Sequence, residues 1–217
     1  MLEIKMRNSE FGMRNCILVT AFQPFGGDEI NPTELVLNAL PDEIGGYEIK
    51  KLLLPVEFGR AAELACAEFD RVKPKAVVML GQAGGRSAIT PEARAVNLMN
   101  AGIPDNAGNK PESVPVADGG PDELFSTLPL ESIVHAVNML GIPAEISQDA
   151  GAYVCNSLLY GMLAHNGGKV PTGFIHVPFI REQTEGVKGR ENTPYLELED
   201  IINGITAAIY AVIGAAE

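Results

Sequence analysis

A chain of 217 residues, 46% apolar and 20% charged, holds enough core for one compact domain, or two at most. Its formal net charge of −12 repels phosphate backbones and anionic headgroups, which excludes nucleic acid and membrane surfaces as expected partners. Three cysteines without a CxxC pair argue against a disulfide framework and a structural zinc site, and they fit a reducing cytoplasm.

The opening "MLEIKMRNSEFGMRN" mixes both charge signs and has no apolar run of signal-peptide type. Residues 1–14 therefore read as an N-terminal extension, native or left by cloning, ahead of one domain over 15–217. "CILVTAF" (16–22) is nearly all apolar, the pattern of a strand covered on both faces. "NPTELVLNAL" opens a helix, with Asn31 as cap, Pro32 at the first helical position and Glu34 three residues past the cap. "YEIKKLLL" (47–54) predicts a strand, and 57–70 a helix with Phe58, Ala61, Ala65 and Phe69 among its apolar positions. "AVVML" (76–80) is a further buried strand, running into the glycine-rich "GQAGGR".

From about 82 to 122 the chain is crowded with turn-forming residues, as in "IPDNAGNKPESVPVADGGPDE". Loops of that length in compact domains are functional or mobile. A helix over about 130–140, a strand near 144–148, a helix carrying Cys155, a strand "GFIHVPF" (173–179) and a helix over about 195–215 complete the chain. The last apolar run, Ile205–Ala216, is too short to span a bilayer. Strands separated by helices predict an α/β sheet with helices on both faces, while strand order is not readable.

Cys155 lies in "DAGAYVCNSLLYG", where an extended segment hands over to a helix. Leu158, Leu159 and Met162 follow at helical spacing, so the thiol can simply fill the core. A helix N-terminus also favours thiolate, and it falls at the strand edge where α/β sheets place their ligand crevices. Both readings stand on the residues alone. Cys16, inside a strand, and Cys66, in mid-helix, read as packing residues.

A nucleophilic thiol needs a base, and there are three histidines. His135 is off the apolar stripe of its helix, and His165 is ten residues along from Cys155, roughly 15 Å at 1.5 Å per residue. His176, within the apolar "GFIHVPF", is the one left. A third side chain must orient the imidazole. Among 28 acidic residues spacing cannot select it. Glu92 in "ITPEARAVN" is a candidate, but Thr90 and Pro91 before it also spell the start of a helix.

Five motifs in order, "TAFQPFGGDEINP", "GQAGGRSAITPE", "IPDNAG", "AGAYVCN" and "GFIHVPFIREQ", resemble the pyroglutamyl peptidase I family of cysteine peptidases over about 16–183. The resemblance implies a three-layer α/β/α sandwich around a mostly parallel, twisted sheet. It implies removal of N-terminal pyroglutamate (5-oxoproline) from peptides, with no cofactor and no metal, in a cytoplasmic homo-oligomer, tetramer or dimer. Carried onto matching positions, Cys155 is the nucleophile, His176 the base and Glu92 the orienting acid. Phe22, Phe25, Asn31, Gln82, Ile103, Tyr153 and Val154 match the substrate pocket, although Asn31 also reads as a helix cap. One departure stands out. Where the family usually reads "DARIPDN" this chain reads "NAGIPDN", so Gly102 replaces an arginine and Asn100 an acid. Arg86 or Arg94 is available to compensate. The alternative function is a pyroglutamyl-binding homologue with reduced or altered activity. Another α/β enzyme, such as a nucleoside phosphorylase, is disfavoured, because "GQAGGR" lacks the P-loop lysine and the GxGxxG spacing of phosphate-binding loops.

Overall fold

The computed structural model describes residues 15–216, so the extension read over 1–14 lies outside the described residues. In chain order come β1 (Cys16–Phe22), α1 (Pro32–Ala39), β2 (Glu43–Ile44), β3 (Tyr47–Leu54), α2 (Arg60–Val72) and β4 (Ala76–Gln82). Then follow β5 (Thr90–Pro91), β6 (Arg94–Val96), β7 (Glu123–Phe125), α3 (Leu130–Asn138) and α4 (Val154–Asn166). The last are β8 (Thr172–Val177), β9 (Phe179–Ile180), β10 (Tyr195–Leu196) and α5 (Leu198–Ala216).

The main sheet has the order β2-β3-β1-β4-β8-β5. Its four inner strands run parallel, and the short edges β2 and β5 are antiparallel to their neighbours. Because successive side chains on a strand point to opposite faces, the apolar run of β1 feeds two cores. Ile17, Val19 and Ala21 join Val78, Ile175 and Val177 on the face that also takes buried residues of α1, α3 and α5. Leu18 and Phe22 join Val77, Met79 and Phe174 on the face under α2 and α4. The result is three layers, as expected for strands that alternate with helices.

Several local expectations are corrected. Thr90 and Pro91 do not start a helix; they are extended, paired antiparallel with Ile175 and His176. Pro91 is tolerated there because an edge strand does not require its missing N–H. No strand forms over 144–148. That segment makes only two isolated bridges, Ile89 to Ala144 and Glu92 to Ser147. The apolar C-terminal run belongs to a 19-residue helix, long enough for a bilayer rather than too short. Its Ile201, Ile205, Ala208, Ile209 and Val212 are fully buried against the sheet and α3, so the apolar face is core.

The long middle stretch is tied down by side chains. Asp105 accepts hydrogen bonds from the backbone N–H of Phe58 (2.9 Å), Ala107 (2.9 Å) and Asn109 (2.8 Å). Asn156, the residue after Cys155, is wholly buried and bonds the backbone of Val96 and Leu98. The helix carrying the cysteine is thereby laced to β6.

Candidate active site

Parallel strands of a doubly covered sheet open their crevice at the carboxyl ends, and there the sequence candidates meet. His176 is the fifth residue of β8, paired in register with Gly81 of β4, so both project toward α4. Gly81 supplies room. A Cβ built on it would lie 3.0 Å from Cys155 Sγ and 2.5 Å from Phe174 Cζ. The Phe174 ring in turn packs on the His176 ring, with centroids 4.7 Å apart. The thiol therefore sits over the gap left by Gly81, beside the imidazole.

Glu92, just past β5, is held by its N–H bonding the Phe174 carbonyl (2.9 Å). Its Oε1 lies 2.7 Å from His176 Nδ1, and it is fully buried. That contact fixes the imidazole with Nδ1 toward the acid and leaves Nε2 for the thiol. Among the described residues no hydrogen bond joins Sγ to the ring, which is common before substrate closes a site. His135 is exposed, and His165 pairs with Asp70 (3.0 Å), as their elimination requires.

Burial, with Glu92 adding, pushes the partly buried Cys155 thiol up to about 12, against opposing pulls from Arg86 and the backbone. Burial thus opposes the thiolate that the helix N-terminus favours. Burial also lowers the His176 pKa, aided by Arg86 and resisted by Glu92. The Glu92 carboxyl, which burial alone would raise, is held below its usual range by His176, Ser147 and Arg86. Both shifts favour the uncharged forms of thiol and imidazole, with a carboxylate behind the ring. Such a set can pass a proton from sulfur to nitrogen as sulfur attacks a carbonyl.

The N-terminus of α4 is open. Tyr153 precedes it with no side-chain cap, leaving first-turn N–H groups beside the thiol. Around this point Phe25 and Tyr153 rings lie 6.1 Å apart, the Tyr153 hydroxyl bonds the Pro104 carbonyl (3.0 Å), and Ile103 is exposed. Phe22 and Val154 lie beneath, only 2% and 1% exposed, as backing rather than open surface. Gln82 Oε1 accepts from Gln183 Nε2 (2.8 Å).

Asn31 is occupied by the fold: Oδ1 accepts from Thr33 N (3.0 Å) and its hydroxyl, and Nδ2 donates to the Gln23 carbonyl. The cap reading is the one its geometry displays. Sequence reasoning missed Gly81, whose only signal was a glycine at a strand end, and it left Arg86 undecided. Arg86 reaches Glu92 Oε1 (2.6 Å), whereas Arg94 pairs with Glu123.

A family model described as pyroglutamyl peptidase matches residues 15–215. The chain is 44% identical to pyrrolidone-carboxylate peptidase 1 of Caldanaerobacter subterraneus, over 92% of this chain and 98% of that one. It is 42% identical to the pyrrolidone-carboxylate peptidase of Lactobacillus johnsonii, over 91% and 92% respectively. Among solved structures, a mutant pyrrolidone carboxyl peptidase from Pyrococcus furiosus superposes with TM-score 0.87 at 40% identity, over 92% of this chain and 98% of that one. Pyroglutamyl peptidase I of Bacillus amyloliquefaciens gives 0.87 at 34%, over 94% and 98%.

Proposed function

The chain belongs to the pyroglutamyl peptidase family, and on that premise we propose how its residues carry out the reaction. It is a cysteine-type peptidase that removes N-terminal pyroglutamate from peptides. The alternative, a binding homologue weakened at Gly102, has no support among these relatives.

His176 Nε2 takes the proton of the Cys155 thiol as Sγ bonds to the pyroglutamyl carbonyl carbon. First-turn N–H groups of α4 receive the developing oxyanion. The C–N bond then breaks, and the imidazolium hands its proton to the departing amine. Water, deprotonated by His176, cleaves the thioester and releases 5-oxoproline. Glu92 orients the imidazole and stabilises its charged form.

The neutral lactam meets Phe25, Tyr153 and Ile103 as apolar walls backed by Phe22 and Val154, with polar groups around Gln82. Asn31 serves this pocket through the Gln23 carbonyl it holds. Residues 15–217 act as one catalytic unit in a reducing, cytoplasmic setting that keeps three thiols free. Exposed Met139, Leu140 and Tyr210 favour a homo-oligomer, dimer or tetramer.

The observation that carries the reading is the thiol over Gly81 beside a histidine bonded to a buried glutamate. Hydrolysis of a pyroglutamyl arylamide, abolished in Cys155→Ala and by thiol alkylation, tests it. A purified protein that is inert, with Cys155 unreactive, would end it.

A further inference from the structure

One charged side chain at this centre has no part in the acyl transfer. Arg86 stands in the β4–β5 loop, with its side chain about one quarter exposed at 27%. Its guanidinium reaches three acceptors on two segments. One terminal nitrogen donates to Glu92 Oε1 (2.6 Å) and to the Thr90 hydroxyl; the other donates to the Asp149 carbonyl (2.9 Å). Glu92 Oε1 therefore accepts from Arg86 and His176 together.

Asp149 begins the segment that leads to the nucleophile, and its own carboxylate turns the chain by accepting from Gly151 N (2.8 Å). One planar fork thus joins the acid of the triad to the approach of Cys155. A lysine has a single nitrogen and cannot span three separated acceptors in this way.

We propose that Arg86 is a positioning residue of the active centre, fixing the Glu92 carboxylate against His176 and tethering the segment from Asp149 to Cys155. The proposal rests on the triad reading above. A buried carboxylate with histidine as its sole cationic partner would hold the imidazole proton strongly. Arg86 shares that carboxylate and frees His176 to give the proton up. Among the described residues, the charged groups acting on His176 are Glu92 from the β5–β6 segment and Arg86 from the β4–β5 loop, and the titratable Cys155 thiol of α4 lies over Gly81, the residue paired with His176. Phe174 and Gly81 bring no charge. Without Arg86 the imidazolium persists to higher pH, so the acid limb of the rate profile moves upward.

The test uses full-length Arg86→Met and Arg86→Lys with a pyroglutamyl arylamide over about pH 5 to 9, alongside thermal unfolding. In Arg86→Met kcat falls by about tenfold to a hundredfold, KM changes by less than about threefold, and the acid limb rises. Arg86→Lys keeps the limb close to wild type, because the charge remains, but recovers only part of kcat. A folded Arg86→Met with kcat within about twofold and an unmoved limb overturns the proposal, as does a change confined to KM. If Arg86→Met does not fold, Arg86→Lys decides: full turnover there overturns it equally. Wild-type protein inert toward the arylamide would instead sink the triad reading, a distinguishable failure.

Discussion

Gly81→Ala is the smallest change expected to dismantle the site. Its methyl would stand 2.5 and 2.6 Å from Cζ and Cε1 of Phe174, and 3.0 Å from Cys155 Sγ. Carbon atoms settle at about 3.5–4.0 Å, so the ring must retreat by about 1 Å. It has nowhere easy to go. Phe174 is fully buried, with Phe22 at a centroid distance of 6.5 Å on one side and His176 at 4.7 Å on another. Overpacking of this kind costs about 1–3 kcal/mol of stability. The larger effect is on rate, since a displacement of about 1 Å at a reacting centre costs about a hundredfold. Urea unfolding, kcat/KM on a pyroglutamyl arylamide and iodoacetamide labelling of Cys155 would be measured together. Adding Phe174→Leu removes the colliding ring carbons and should restore stability more than activity. Wild-type stability and turnover in Gly81→Ala would refute the placement of the thiol over that gap.

Three other outcomes follow from the same geometry. Glu92 and Asp105 both have carboxyl pKa values held below the ordinary range, against a burial effect that would raise them. Their stabilisation is present above the unfolded carboxyl pKa and lost as pH falls through the folded one; thermal unfolding should stay level from neutral pH to about 4, then drop. Asp105→Ala strips partners from three backbone N–H groups and should cost about 2–4 kcal/mol in urea unfolding. A loss below about 0.5 kcal/mol would show that the loop is held otherwise. Gly102→Arg should change stability by less than about 0.5 kcal/mol, because a Cβ there meets nothing within 4 Å. Its kcat/KM should move by less than about threefold, since Arg86 already meets the Glu92 charge, and a tenfold rise would contradict that.

The candidate site was legible in the sequence because its residue types are scarce. With three histidines, two of them on helix positions that cannot serve, His176 followed from Cys155 by elimination. The buried strands were equally readable, since "CILVTAF" and "AVVML" feed both cores and carry no alternation to misread. Glu92 was not legible from spacing: "TPE" spells a helix start, and only pairing with β8 makes it extended. Arg86, Gly81 and Asp105 were hidden for a related reason. Arg86 acts on a carbonyl 63 residues away and Asp105 on an N–H 47 residues away, so no local pattern records them. Gly81 acts by what it lacks, and a missing side chain has meaning only once its neighbours are placed.

The charges around the crevice bear on which peptides it accepts. Asp28 is paired with Arg190 (2.8 Å), Asp105 is enclosed by backbone donors, Asp149 holds Gly151, and Glu92 is shared by His176 and Arg86. Each of these carboxylates is already engaged within the fold. An ordinary peptide would bring a hydrated ammonium group to apolar walls with none of these carboxylates free to meet it, and its desolvation would go uncompensated. A pyroglutamyl terminus has closed that amine into a neutral lactam and escapes this cost. On the proposed site, selectivity for the blocked terminus would arise as much from carboxylates committed elsewhere as from contacts made to the ring.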